Sequence, residues 1–206
     1  MILKWVYRGA VVMETRTEAV DLVGDDAAIN LARAALFAAL VGAFAYVSFP
    51  FPFSPAPVTL QVLGVFLAGI LLGPVWGGVA LSFYLVAGAL GAPVFSGGSA
   101  GLGTLLAEPT LGYLWSYPIA AALVGGIVHR GTTLRNPREI GVATLVGAMV
   151  AGTVVIYTFG VIGMAVVLSL TLPEAFLQGA VVFLPAEAAK IVAAIGILRS
   201  DAIAAA

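Results

Sequence analysis

From Ala34 to Ala107 the chain carries no charged side chain. A hydrocarbon core of about 30 Å takes roughly 20 helical residues, so a run of this length must turn back on itself more than once. The places where it can turn are visible. FPFPFSPAP at 49–57 holds Pro50, Pro52, Pro55 and Pro57, which cannot be helical. Gly73-Pro74 and Gly91-Ala92-Pro93 punctuate the apolar stretches that follow. With a mean hydropathy of +1.12 and only 9% charged residues, the chain is excluded from the ordinary soluble domains and falls among membrane proteins.

Divided at these points, the sequence predicts helices over 31–49, with Asn30 as N-cap and Arg33 flanking it, and over 58–73. Further helices are expected over 79–90 and 111–128. The uncharged run 140–173 is too long for one upright helix and is expected to tilt or break near Gly160 and Gly163. The last run, 176–198, reads as one continuous helix. The expectation is an all-α membrane protein of six transmembrane helices, a single domain over 30–200 between tails at 1–29 and 201–206. Lys4 and Arg8 interrupt the apolar opening, which therefore lacks the core of a secretory signal. The start is open between Met1 and Met13. Arg33, Arg130, Arg135, Arg138 and Arg199 flank alternate connectors, while the connectors after the first, third and fifth helices have no Lys or Arg. By the positive-inside rule both termini are cytoplasmic, in a plasma membrane.

Composition removes several functions. Nine Lys and Arg in total leave no basic surface for nucleic acid. No cysteine and a single histidine, His129, offer no metal site. There is no Walker motif, HExxH or Ser/His arrangement, so the chain is expected to be no enzyme, to need no cofactor and to draw transport energy from elsewhere. The glycine-rich stretch 94–110 lacks the Gly-Lys-Ser/Thr of a phosphate cradle and reads as a flap over a pocket.

The residues that demand an explanation are Glu187 and Lys190, in the middle of the last apolar run. An ionised lysine there costs about 2.5–3.5 kcal/mol even on lenient insertion scales. Their spacing of three puts them on one helix face, close enough to pair. They are expected to line an internal pocket below the outer loops, where the carboxylate accepts from N–H groups and the ammonium donates to a carbonyl or pairs with an anionic tail. Gln61 and Thr59 are placed to project into the same pocket. Tyr84, Tyr113, Trp115 and Tyr117 offer aromatic surface with polar tips, and Ser96, Ser99 and Thr104 offer loop hydroxyls. Glu108 is a boundary carboxylate. Small residues repeat at four-residue spacing in the first helix, pairing Ala34 with Ala38, Ala35 with Ala39 and Ala39 with Ala43, a ridge against which another helix can pack closely.

Four passages carry a resemblance: FSPAPVTLQVLGVFLAGILLGP at 53–74, GALGAPVFSGGSAGLGTLL at 88–106, EPTLGYLWSYP at 108–118 and PAEAAKIVAA at 185–194. Together they resemble the BioY family, the biotin-specific S components of energy-coupling-factor transporters. The resemblance implies the S-component fold, biotin as transported ligand near the outer face, and as partners a coupling transmembrane subunit and two ATPase subunits. Glu187 and Lys190 fall on the family's acid–x–x–Lys motif, with Glu where the family carries Asp. Glu108 and Leu111 replace glycines of the family's pattern, and Val75 stands where a basic residue is common. With Glu187 and Lys190, the residues expected to bind substrate by position and chemistry are Gln61, Thr59, Tyr84, Ser99 and Tyr113, and the ridge of Ala34, Ala35, Ala38 and Ala39 resembles the surface that S components present to the coupling subunit. Two rival readings share the pattern: a capture subunit of the same fold for another vitamin, and a stand-alone ion-coupled carrier.

Overall fold

The computed structural model describes residues 25–200. Expectations that fall on residues 1–24 and 201–206, the choice between Met1 and Met13 among them, lie outside the described residues. The chain forms α1 (Asp25–Tyr46), an antiparallel pair β1 (Ser48–Phe49) and β2 (Val58–Thr59), then α2 (Gln61–Ala89) and α3 (Leu102–Ala107). After these come α4 (Leu111–His129), α5 (Val142–Leu168), α6 (Leu172–Gly179) and α7 (Leu184–Arg199). Among the described residues, five stretches are long and apolar enough to cross a membrane: α1, α2, α4, α5, and α6 with α7 taken together. In lipid every backbone amide must find its partner inside its own segment, and helices achieve that.

α2 is not one rod. Gly73 sits at φ 79°, ψ −178°, a conformation open to a residue with no Cβ, and Pro74 contributes no N–H to continue the ladder. Gln61 Nε2 donates to the Tyr84 hydroxyl at 2.5 Å, whereas residues 23 apart on a continuous helix would lie roughly 34 Å from each other. Residues 61–72 and 74–89 are therefore antiparallel arms folded side by side. They touch closely, since a Cβ added to Gly77 would stand 3.0 Å from the Cα of Gly69. His129 closes the bend. Its Nδ1 accepts from the Arg135 amide at 3.0 Å, so its Nε2–H donates to the carbonyl of Ile70 at 2.9 Å.

The first arm is the centre of the molecule: every residue from 61 to 70 is buried. α1 lies along it through Ala34, Ala38, Val41 and Ala45, all in the core, while Ala35, Ala39 and Ala43 face outward. Of the small-residue ridge, then, Ala34 and Ala38 are used up in packing within the chain, which corrects their assignment to a partner-facing surface. Asn30 does not cap a helix either, because α1 is already helical from Asp25.

Three other expectations are corrected. α5 runs unbroken from Val142 to Leu168, and its glycines serve contact in place of bending. A Cβ on Gly112 of α4 would lie 2.0 Å from the carbonyl oxygen of Phe159, and one on Gly160 2.2 Å from the Tyr113 ring. The connector 94–110 is not a structureless flap: it holds a 3-10 turn (Ser96–Gly98) and α3, with Phe95, Thr104 and Leu105 buried. Trp115 pins α3 by donating from Nε1 to the Leu105 carbonyl at 2.9 Å. The last apolar run is divided at Ala180 into α6 and α7. At the far end, the Arg199 guanidinium donates to the carbonyls of Arg138 and Ile140, and Arg138 donates to that of Ser200, tying the end of α7 to the connector between α4 and α5.

The α4–α5 seam gives a direct test. Gly112→Ala should cost about 1–3 kcal/mol by overpacking, read as a lower unfolding midpoint in detergent. Gly126→Ala on the same helix, where an added Cβ meets nothing within 4 Å, should leave the midpoint unchanged.

Candidate functional site

The break at Ala180 (φ −131°, ψ −59°) resets the helix, so α7 begins at Leu184 with a proline at its start. Glu187 thus occupies the first turn of α7, not the middle of a long helix, and its carboxylate sits at the positive end of the helix dipole. Lys190 lies three residues on, and its ammonium donates to Glu187 Oε1 at 2.5 Å. The two residues are only 4% and 6% exposed. The pair is half satisfied. Glu187 Oε2 and the hydroxyl of Tyr157 on α5 are buried without a well-formed hydrogen bond among the described residues, and the two lie close enough to interact with each other.

Both groups line a cavity of about 50 Å³. Its walls come from the β1–β2 hairpin (Ala56, Pro57, Val58, Thr59), from the head of the first α2 arm (Gln61, Val62), from Ser96 and Thr110, from α4 (Tyr113, Leu114, Tyr117), and from Tyr157, Phe183, Glu187 and Lys190. Behind it runs a polar relay. Thr59 Oγ1 donates to Gln61 Oε1 at 2.9 Å, Ser96 Oγ donates to the same oxygen at 3.3 Å, and Gln61 passes its own N–H to Tyr84. Tyr113 donates to the Gly179 carbonyl at 2.6 Å, which locks its ring against the α6–α7 break. The other walls are aromatic, with ring centroids of the Tyr113–Tyr157 and Tyr157–Phe183 pairs 6.2 and 6.3 Å apart.

Of the residues singled out from sequence, Glu187, Lys190, Gln61, Thr59, Ser96, Tyr113 and Tyr117 meet at this cavity. Tyr84 stands behind it, reached through Gln61. Ser99 does not line it; its hydroxyl donates to the Ser96 carbonyl at 3.2 Å, and Ser96 takes the place expected for Ser99. Trp115 points away, 47% exposed. Glu108 accepts from Thr104 Oγ1 at 2.9 Å. Tyr157 and Phe183 are the residues that sequence reading missed. Tyr157 lies in the uncharged 140–173 run, where one hydroxyl among many apolar residues gives no periodic signal.

A helical membrane protein with a buried acid–lysine pair and under-bonded oxygens at a partly open cavity has the architecture of a small-molecule capture protein. The BioY family model matches residues 13–205. A biotin transporter BioY of Rhizobium etli is 36% identical over 170 residues, covering 80% of this chain and 88% of that protein. One of Rhodobacter capsulatus is 38% identical over 135 residues, covering 65% of this chain and 68% of that one. The chain belongs to the BioY family. Its fold matches a 2.1 Å crystal structure of the S-component for biotin from an ECF-type ABC transporter, with a TM-score of 0.76 and 23% identity over 86% of this chain and 93% of that one.

The pair has a stability signature. Lys190→Ala should destabilise the protein by about 3–5 kcal/mol, because it strands a buried carboxylate. Glu187→Gln with Lys190→Met should recover most of that loss, and unfolding midpoints of the single and double variants check it.

Proposed function

We propose that this protein captures biotin at the Glu187–Lys190 cavity as the binding subunit of an energy-coupled uptake system, with no covalent chemistry. The observation that carries the reading is the half-satisfied ion pair. A carboxylate oxygen and a phenol, both buried and neither in a well-formed hydrogen bond, leave bonding capacity that a ligand can take up, about 1–3 kcal/mol for a group left wholly unpaired. Biotin's cyclic urea presents two N–H donors and a carbonyl, which complement Glu187 Oε2, the Tyr157 hydroxyl and the remaining donors of Lys190. Its sulfur-containing ring and aliphatic chain suit the walls of Tyr113, Tyr117 and Phe183. Gln61 and Thr59 hold the polar side of the cavity in register.

The cavity of about 50 Å³ is smaller than the ~300 Å³ at which pockets for drug-sized ligands begin. Loading therefore displaces lining residues. The cheapest to move are those of the hairpin, Ala56 to Val58, held to its other strand by a two-residue ladder.

Counting the two arms of α2 separately gives six crossings, with the cavity near the outer face and both termini cytoplasmic. Arg33, Arg130, Arg135, Arg138 and Arg199 then gather on the inner side. The domain is taken as residues 30–200 with cytoplasmic tails, in the plasma membrane. The outward stripe Ala35, Ala39 and Ala43 on α1 supports docking of a coupling transmembrane subunit, itself served by two ATPases, because small residues let helices approach closely.

Purified protein should retain biotin, and a panel of other vitamins should leave its thermal midpoint unmoved. Tyr157→Phe should weaken biotin binding about tenfold, equivalent to one lost hydrogen bond, without lowering the unfolding midpoint of the empty protein. Equal affinity in that variant would remove Tyr157 from the site, and stabilisation by a different vitamin would reassign the ligand. Uptake by vesicles that hold this chain alone would favour the carrier.

A further inference from the structure

Charge is distributed unevenly about the cavity. Arg33 lies in the first half of α1, Arg130, Arg135 and Arg138 in the connector between α4 and α5, and Arg199 at the end of α7, all towards the Gly73 bend. Segments 46–60, 89–111 and 168–184 gather at the opposite end, and they hold Glu108 and Glu174 with no Lys or Arg. Among the described residues, Lys190 is the one cation at the cavity, and Glu187 already engages it at 2.5 Å.

A ligand carboxylate brought to that pair would put two anions beside one cation in a space of about 50 Å³. The second anion would be repelled by the first at short range, where water screens poorly. Turned towards the mouth, the carboxylate fares no better. Thr110 lines the cavity, and two residues away in sequence the Glu108 carboxylate is held by Thr104. What the site does offer is uncharged complementarity: an acceptor at Glu187 Oε2, a hydroxyl at Tyr157, and donors on Lys190 that Glu187 leaves free.

We propose that the site reads the uncharged urea edge of its ligand and leaves the acid tail without an ion-pair partner, so that the protein takes carboxyl-blocked forms, the primary amide and the alkyl ester, as readily as the free acid. This specificity rests on the biotin reading above. The urea faces inward, where its N–H groups find the carboxylate, and the tail points to a mouth that holds no cation for it.

The test is competition against labelled biotin on the purified full-length protein in detergent, using biotin, its primary amide, its methyl ester and a derivative methylated on the urea nitrogens. The amide and ester should compete within about threefold of biotin, whereas urea methylation should cost roughly a hundredfold or more. Biotin affinity should also stay flat from low to high salt, since no exposed ion pair holds the tail. A loss above about tenfold for both amide and ester, or a matching fall in biotin affinity with salt, would overturn the inference while leaving biotin as ligand. Failure to retain labelled biotin at all would remove the proposed function, and the specificity with it.

Discussion

A lysine only 6% exposed can persist only where a carboxylate meets its ammonium, and here the carboxylate meets it with one oxygen and leaves the other without a well-formed hydrogen bond. Much of the local architecture serves that pair. The division at Ala180 brings Glu187 into the first turn of α7, where the helix dipole favours its charge. Gly179, just before the break, has no side chain where a Cβ would stand 2.7 Å from the Tyr113 oxygen. That vacancy lets Tyr113 bond the Gly179 carbonyl, so the break and the aromatic wall fix each other.

Why the remaining helices can hold such a site follows from the solvent. Between helices in lipid there is no hydrophobic force to spend, and close packing supplies the cohesion. The contacts are close wherever glycine allows them. A Cβ on Gly125 would lie 2.6 Å from the backbone at Gly73, and one on Gly69 would lie 2.4 Å from the carbonyl of Ala121. The folded-back α2 is thus pressed against α4, and α4 against α5 through Gly112 and Gly160. The result is a rigid frame that presents Gln61, Tyr113 and Tyr157 at one level, opposite the start of α7.

Much of this was legible in the residues. Pro50 to Pro57 and Gly73-Pro74 marked real reversals because a missing N–H or a missing Cβ acts locally, whatever the tertiary setting. Glu187 and Lys190 were legible because charge in an apolar run is costly everywhere. What could not be read depended on neighbours distant in sequence. Gly160 and Gly163 look like helix breakers until Gly112 and Tyr113 are known to press on them. Ala34 and Ala38 look like the same ridge as Ala35 and Ala39, and only the position of α2 turns one pair in and the other out. The division of the last run at Ala180 is marked only by Gly179 before it and Pro185 five residues later, and each reads equally well as part of one helix. Tyr157 was hidden for the same reason: its value comes from Glu187, thirty residues on.

The under-bonded oxygens also determine what kind of selectivity such a site can have. A pocket that sorts ligands by apolar fit alone separates neighbours by one methylene only about 10–200-fold, whereas a buried polar group left unpaired by the wrong ligand discriminates by roughly 10⁴–10⁵. The aromatic walls belong to the first mechanism, and Glu187 Oε2 and the Tyr157 hydroxyl to the second. Because Glu187 and Lys190 cancel in charge, the pocket need not recruit a counter-ion to remain within the membrane when empty, nor shed one when an uncharged group enters. On the proposed reading, the free energy recovered on capture is the unmet hydrogen bonding of two oxygens, a quantity set by geometry and not by ionic conditions.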